Sequence, residues 1–403
     1  MTDSANAPDF YPAQLNPVLV RLVQSFGWAI APLKYHLNLE VEQADLDKIK
    51  ALGDNRVVLM PNHPTFDDGI VLLLLSTRLG ELFNYLVAHE NFQGLQGKLL
   101  QLGGAYSIRR GVGDRASIAY TLKRLAESAC RMVIFPEGGC SFQNDLVQPF
   151  RSGAIHLPLQ AMNRLVKQNK TVPHFYLVPI SLKYRYTRPM NREIDRILSQ
   201  LEGELNLVPQ TSDLYKRLRA VGERVLESLE RDYTIEYETE EPRDWNQRIT
   251  AIQTQVLERC ETQLNLTPAP QMPARERVYK IQAMLESQGE ELSAQERADI
   301  YRATMQLINF DAIYDGYVAA VPTQERFLDT LTRLEREVFR IDQPRPKGYR
   351  RAIVRVGDPI DLKDYFAAYQ SNRTETVEKL TQMVQNAVQR NLDIMTSDPK
   401  PNN

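Results

Sequence analysis

Cysteine, histidine and long apolar runs are all scarce in this chain of 403 residues, and each shortage removes a class of explanation. Three cysteines, Cys130, Cys140 and Cys260, form no disulfide framework and no metal-type spacing, which fits a reducing compartment. No uncharged apolar run reaches the roughly 18 residues that suggest a spanning helix. The first residues, Met1-Thr-Asp-Ser-Ala-Asn6, lack a basic start and an apolar middle, so no signal peptide is expected. No repeat recurs at a fixed period. The formal net charge is only -2, which excludes a general nucleic-acid binder. The charge is nevertheless uneven, roughly +4 up to Thr187 and roughly -6 beyond it. The first part is therefore the one suited to anionic substrates or anionic lipid.

What is present suffices for a core: 43% of residues are hydrophobic and 25% charged. The length predicts two domains, or one domain with a large insertion. Leu22 to Leu33 is uncharged and mostly apolar, holds Phe26 and Trp28, and is flanked by Arg21 and Lys34. It is too short to span a membrane. As a helix it puts Leu19, Leu22, Phe26, Ile30 and Leu33 on one face, for packing on the core or lying in a membrane interface.

The stretch that organises the chain is Pro61-Asn62-His63-Pro64-Thr65-Phe66-Asp67-Asp68-Gly69. The apolar Arg56–Met60 before it suits a buried strand, and the apolar run from Gly69 to Ser76 after it suits a buried helix. A polar turn between strand and helix is a common address for active sites in open α/β sheets. The turn folds back so that the Asp68 carboxylate can reach the His63 imidazole across four intervening residues. A neutral imidazole can take the proton of an attacking alcohol, a contribution of roughly 10²–10⁴-fold. A carboxylate on its other nitrogen fixes the tautomer and stabilises the imidazolium. Thr65 and Asp68 also have the spacing of a capping box, which would leave Asp68 to satisfy helix-end amides.

Strands are predicted over Asn38–Val41, Asn84–His89, Gly103–Gly111, Arg131–Phe135 and His174–Tyr184, the last with Pro179 implying an edge or a break. Helices are expected between them, over Asp45–Leu52, Leu95–Leu102, Asp114–Cys130 and from Arg151 to about Lys167. Arg109 and Arg110 end one strand, and arginine suits phosphate because its planar fork donates two parallel hydrogen bonds. Pro136-Glu137-Gly138-Gly139-Cys140-Ser141 ends another, with Glu137 placed to orient a substrate hydroxyl or a loop amide, or simply to shape a turn. From Asn191 the pattern changes to long charged helices, the fifth of them over Ala294–Ile313, with Ser293 and Glu296 forming a capping box at its start. β character returns at Arg351–Val356, followed by an amphipathic helix over about Thr374–Ile394. The expected fold is α/β, a mostly parallel sheet flanked by helices, with a large all-helical insertion. Its parts are a core at 1–190 that includes the N-terminal amphipathic helix, the insertion at 191–347, the return of the core at 348–396, and a tail at 397–403.

Asn-His-x-x-x-x-Asp, Gly-Ala-Tyr-Ser-Ile-Arg-Arg, Phe-Pro-Glu-Gly and Val-Pro-Ile, in this order, resemble the four blocks of the glycerolipid acyltransferase family, which includes 1-acylglycerol-3-phosphate acyltransferases. The resemblance spans roughly Asn38 to Tyr184 and resumes at Ile353 to Ile360. It implies His63 as general base and Asp68 as its orienting partner. It further implies Arg110 on a phosphate or polar head, Glu137 and Gly138 positioning the acceptor, and Pro179 on the acyl-donor side. Acyl-CoA or acyl-carrier protein would donate to a glycerolipid or lysolipid hydroxyl, with no metal or other cofactor. Phospholipid biosynthesis on the cytoplasmic face of a membrane, with the protein attached peripherally, is the implied setting. One block departs: the family continues with Thr-Arg-Ser, and here Gly139, Cys140 and Ser141 follow. The usual arginine contact to phosphate is missing. Either Arg109 compensates or the acceptor lacks that phosphate. An acyl-cysteine nucleophile at Cys140 is disfavoured, since the family places a substrate-binding residue there.

Two other classes compete. A lipid-binding or scaffold protein on the same fold draws on the altered third block and the helical insertion. A metal-dependent hydrolase using His63, Asp67 and Asp68 ranks lower, for too few histidines surround the site to build a metal cage.

Overall fold

The structure, a computed structural model, describes residues 8–169, 171–235, 244–288, 292–310 and 315–397. The chain divides into two compact units. One comprises Met1–Arg109, Gly113–Thr187 and Tyr349–Asn403, and the other Arg110–Val112 and Arg188–Gly348.

The first unit is an α/β layer structure. It opens with α1 (Pro17–Tyr35), β1 (Leu37–Val41), α2 (Gln43–Lys50), β2 (Arg56–Pro61) and α3 (Asp68–Leu79). Then come β3 (Asn84–Ala88), α4 (Gly94–Leu102), β4 (Ala105–Ile108), α5 (Arg115–Ala126), β5 (Arg131–Val133), α6 (Gly153–Asn169) and β6 (Phe175–Tyr186). The second unit holds α7 (Asn191–Glu204), α8 (Leu214–Asp232), α9 (Trp245–Gln263), α10 (Ala274–Gln288), α11 (Ala294–Phe310), α12 (Tyr317–Ala320) and α13 (Gln324–Val338). The chain then returns to the first unit as β7 (Arg350–Val356), β8 (Ile360–Asp361), α14 (Phe366–Ser371) and α15 (Arg373–Ser397). Of the helix expected over Ala294–Ile313, residues 311–313 lie outside the described residues, as does nearly all of the expected tail.

The strand order is β1-β7-β6-β2-β5-β3-β4, with β8 also pairing β6. Every pairing is parallel except those of β6 with β7 and β8. A parallel sheet is covered on both faces, so its inner strands read as unbroken apolar runs. On β2, Val58 and Met60 pack in one layer with Leu159, Leu177 and Leu380. Val57 and Leu59 pack in the other with Leu72, Leu75 and Val178. Periodicity two assigns alternate residues to opposite helical layers.

Pro179 is not at an edge. It lies on interior strand β6, opposite Met60 of β2. Its carbonyl accepts from the Gly357 amide at 2.8 Å, so its absent N–H would point to the same side. That side is the gap between β8, which pairs Tyr176 and Leu177, and β7, which begins pairing at Ile180. The missing donor thus falls where the ladder is broken. The helix expected over Asp114–Cys130 stops at Ala126: Glu127 turns extended at ψ 143°, and Ala129, at a left-handed φ of 53°, donates to the Asp54 carbonyl at 3.0 Å.

Beyond the end of β2 the sheet continues through side chains. Leu182 N–H donates to the Asn62 amide oxygen at 2.7 Å, and Asn62 donates back to the Leu182 carbonyl at 3.0 Å. Asn144 does the same for Tyr184, both bonds measuring 2.7 Å. Replacing Asn62 by Ala leaves two buried backbone groups of β6 unpaired, an expected loss of about 2–4 kcal/mol. A urea midpoint lowered at unchanged m-value is the expected result; a midpoint equal to that of the unsubstituted protein would contradict this account.

Candidate active site

Parallel neighbours β2 and β5 end at the same edge of the sheet, so the turns that follow them meet. The turn after β2 carries His63, and Asp68 opens α3. Nδ1 of His63 lies 2.7 Å from Asp68 Oδ2. The Asp68 side chain is 0% exposed and that of His63 21% exposed. The imidazole rests against the Phe135 ring, centroids 4.3 Å apart, and its Nε2 has no hydrogen-bond partner among the described residues.

Asp68 receives three further donors. Thr65 N–H donates to Oδ2 at 3.0 Å, the Thr65 hydroxyl to Oδ1 at 3.0 Å, and the Tyr184 phenol to Oδ1 at 2.6 Å. Asp68 therefore serves both roles open to it in the sequence. It satisfies a turn amide and it holds the imidazole. Burial, and next the charge of Asp68, raise the Tyr184 pKa well above its ordinary 10, so the phenol stays protonated and donates. Asp67 turns away from His63 and is paired with the Arg350 guanidinium at 2.5 Å. That guanidinium also donates to the Tyr35 carbonyl at 3.2 Å and stands 5.1 Å from the Tyr184 ring centroid. With Asp67 neutralised by Arg350, Asp68 is the carboxylate left to face the imidazole.

The turn after β5 supports this loop through its backbone. The Glu137 carboxylate accepts from the His63 amide at 2.8 Å and from the Gln148 amide at 3.3 Å. Of the roles expected for Glu137, the loop amide is the one the geometry displays. Ser141 N–H donates to the His63 carbonyl at 2.7 Å, and its hydroxyl lies 3.2 Å from the same oxygen. Gly138 has φ 70°, and a Cβ there would sit 2.5 Å from Nε of Arg151. Glycine is required here for the turn and for that guanidinium.

The other expected site residues lie elsewhere. Pro179 is buried inside the sheet, opposite Met60 of β2. Arg109 follows β4, which is separated from β2 by β5 and β3. Its amide donates to Asp114 at 2.8 Å and its guanidinium to Asp9 at 2.9 Å. Arg110 falls in the second unit, where its guanidinium stands 4.0 Å over the Tyr279 ring. Cys140 is buried. No three or more His, Cys, Asp or Glu side chains among the described residues are grouped to hold a metal ion. Two positioning groups escaped sequence reading, Tyr184 and Arg350. The first stood at the end of a predicted strand, and the second gave no local signal.

If Glu137 acts on the His63 amide, Glu137→Ala lowers kcat by about tenfold or more with the acceptor KM little changed. A large rise in acceptor KM at constant kcat would instead make Glu137 a substrate contact.

A model of the Acyltransferase family matches residues 39–183, from β1 into β6. No curated protein matches the chain. The α/β unit that binds His63 to Asp68 thus contains, over residues 39–183, an acyltransferase-family domain.

Proposed function

We propose that this acyltransferase moves a fatty acyl group from an acyl thioester, acyl-CoA or acyl-carrier protein, to a hydroxyl of a glycerolipid or lysolipid. What carries the reading is a half-tethered imidazole: Nδ1 of His63 is bound to buried Asp68 while Nε2 is unpartnered among the described residues. Nε2 accepts the proton of the acceptor hydroxyl as its oxygen attacks the thioester carbonyl carbon. The carbon–sulfur bond then breaks, and the departing thiolate takes the proton from the imidazolium. Asp68 stays ionised throughout and steadies the positive ring. A thioester is already activated, so no acyl-enzyme intermediate is needed and buried Cys140 has no role in the transfer. Neither carboxylate beside His63 is free for a metal ion, since Asp67 holds Arg350 and Asp68 holds its donors.

The work is done at a membrane surface in this reading. Helix α1 packs on α3 through Val20, Gln24, Gly27 and Ala31. Its opposite side exposes Leu22, Phe26, Ile30 and Leu33, and Trp28, 76% exposed, flanks the packed face. A helix that buries its small residues and exposes its large ones, with Arg21 and Lys34 near its ends, suits a lipid interface. No helix among the described residues is long and apolar enough to cross a membrane.

A scaffold role on the same fold is favoured by one observation: Cys140 replaces the third-block arginine, while Arg109 is paired with Asp9. A thioester-cleavage assay with lysolipids of different head groups separates the two readings, since binding without thiol release would leave the scaffold. Within the enzyme reading, His63→Ala abolishes transfer with the fold intact, and retention of more than about 5% of the rate would contradict the general-base role. Phe26→Asp with Trp28→Asp should cost at least about tenfold in cosedimentation with anionic vesicles. Unchanged cosedimentation would remove α1 from the membrane.

A further inference from the structure

Tyr184 lies one residue beyond the segment that the family model matches, on the stretch of β6 that outruns β2. Three separate contacts fix it. Asn144 clamps its backbone on both sides at 2.7 Å. The Arg350 guanidinium stands 5.1 Å from its ring centroid while holding Asp67. Its hydroxyl lies 2.6 Å from Asp68 Oδ1, the carboxylate oxygen that His63 does not use. Phenylalanine would fill the same space, so packing alone does not explain the oxygen.

We propose that Tyr184 is a positioning residue for the His63–Asp68 pair: its phenol pins Oδ1 so that Oδ2 stays on Nδ1. The inference deepens the acyl-transfer reading and rests on it for the role of the pair. Without the phenol, Oδ1 keeps only the Thr65 hydroxyl, so the carboxylate rocks more about its bond to the ring, while Thr65 N–H still holds Oδ2 beside Nδ1. The phenol also draws off part of the Asp68 charge. Its removal leaves a more basic carboxylate, which favours the imidazolium and moves His63 titration to higher pH. The charged and titratable groups around the pair are Asp67 and Arg350, the latter from β7, with Glu137 from the turn after β5 and Tyr184 from β6. The first two offset each other and Glu137 faces the His63 amide, and altering Tyr184 leaves the net charge around the pair unchanged.

The test uses the full chain carrying Tyr184→Phe, with Tyr106→Phe as the control. The control removes a buried phenol that bonds Thr121 at 2.9 Å, away from Asp68. For Tyr184→Phe, kcat is expected to fall about tenfold with thioester KM unchanged. The acid limb of the rate profile and the His63 imidazole titration, followed by NMR, should both move to higher pH. The control should move neither. Replacement of Tyr184 by 3-fluorotyrosine keeps the shape and strengthens the donor, so the titration should move to lower pH; it decides the matter should Tyr184→Phe fail to fold. A His63 titration that Tyr184→Phe and fluorotyrosine both leave in place overturns the proposal. Absence of thioester turnover in the unsubstituted protein would defeat the acyl-transfer reading instead, while the imidazole titration would still judge Tyr184.

Discussion

One buried carboxylate sets the terms for the α/β unit. A charge removed from water costs many kcal/mol unless hydrogen bonds and an opposite charge replace its hydration. Asp68 is removed completely and meets that cost with a backbone amide, a hydroxyl, a phenol and an imidazole. Three of those four groups belong to the framework. The fourth is partly exposed, and it leaves a nitrogen unpartnered among the described residues. Arrangement of the donors around Asp68 therefore decides both which tautomer His63 adopts and which way its reactive nitrogen faces.

The topology follows from supplying those groups from distant parts of the chain. Strand β2 delivers His63, its parallel neighbour β5 delivers the turn that holds the His63 backbone, and its other neighbour β6 delivers Tyr184. Antiparallel pairing of β6 with β7 then sets Tyr186 opposite Arg350, with the Thr187 amide donating to the Tyr349 carbonyl at 3.0 Å. The chain leaves the α/β unit at Thr187 and re-enters it at Tyr349, next to where it left. A long excursion between adjacent strand ends adds little closure entropy, since that cost grows only logarithmically with length. The arginine on the returning strand neutralises Asp67 and caps the Tyr35 carbonyl at the end of α1. One guanidinium thus ties together the first helix, the motif turn and the strand after the helical unit.

Helix α1 illustrates how packing can invert amphipathic expectation. Its close approach to α3 is made by Gly27, where a Cβ would stand 3.0 Å from the Leu74 side chain. Gln24 reaches Ser76 at 2.9 Å and the Glu81 carbonyl at 3.0 Å, and Arg21 reaches the Gly80 carbonyl at 2.9 Å. Small and polar residues do the packing, so the large apolar ones face outward. The hydrogen bonds that run along α1 from Arg21 to Tyr35 keep that face in a fixed relation to the motif turn.

What the amino-acid order determined by itself was local. The apolar run before Pro61 and the run after Gly69 dictated strand, turn and helix, and the four residues between His63 and Asp68 were enough to bring ring and acid together. Alternating strands and helices were likewise readable as a mostly parallel sheet. Which strand lies beside which was decided only by tertiary structure. Tyr184 is 116 positions from Asp68 and Arg350 is 283 from Asp67, and no periodicity spans such gaps. The same holds for the residues expected around substrate: Glu137 faces an amide, Pro179 is inside the sheet, and Arg109 is tied to Asp9. Sequence specifies which groups a turn carries, because a few bonds constrain neighbours. Where those groups point depends on the pairing of strands far apart in the chain, and that is settled by burial of both sheet faces at once.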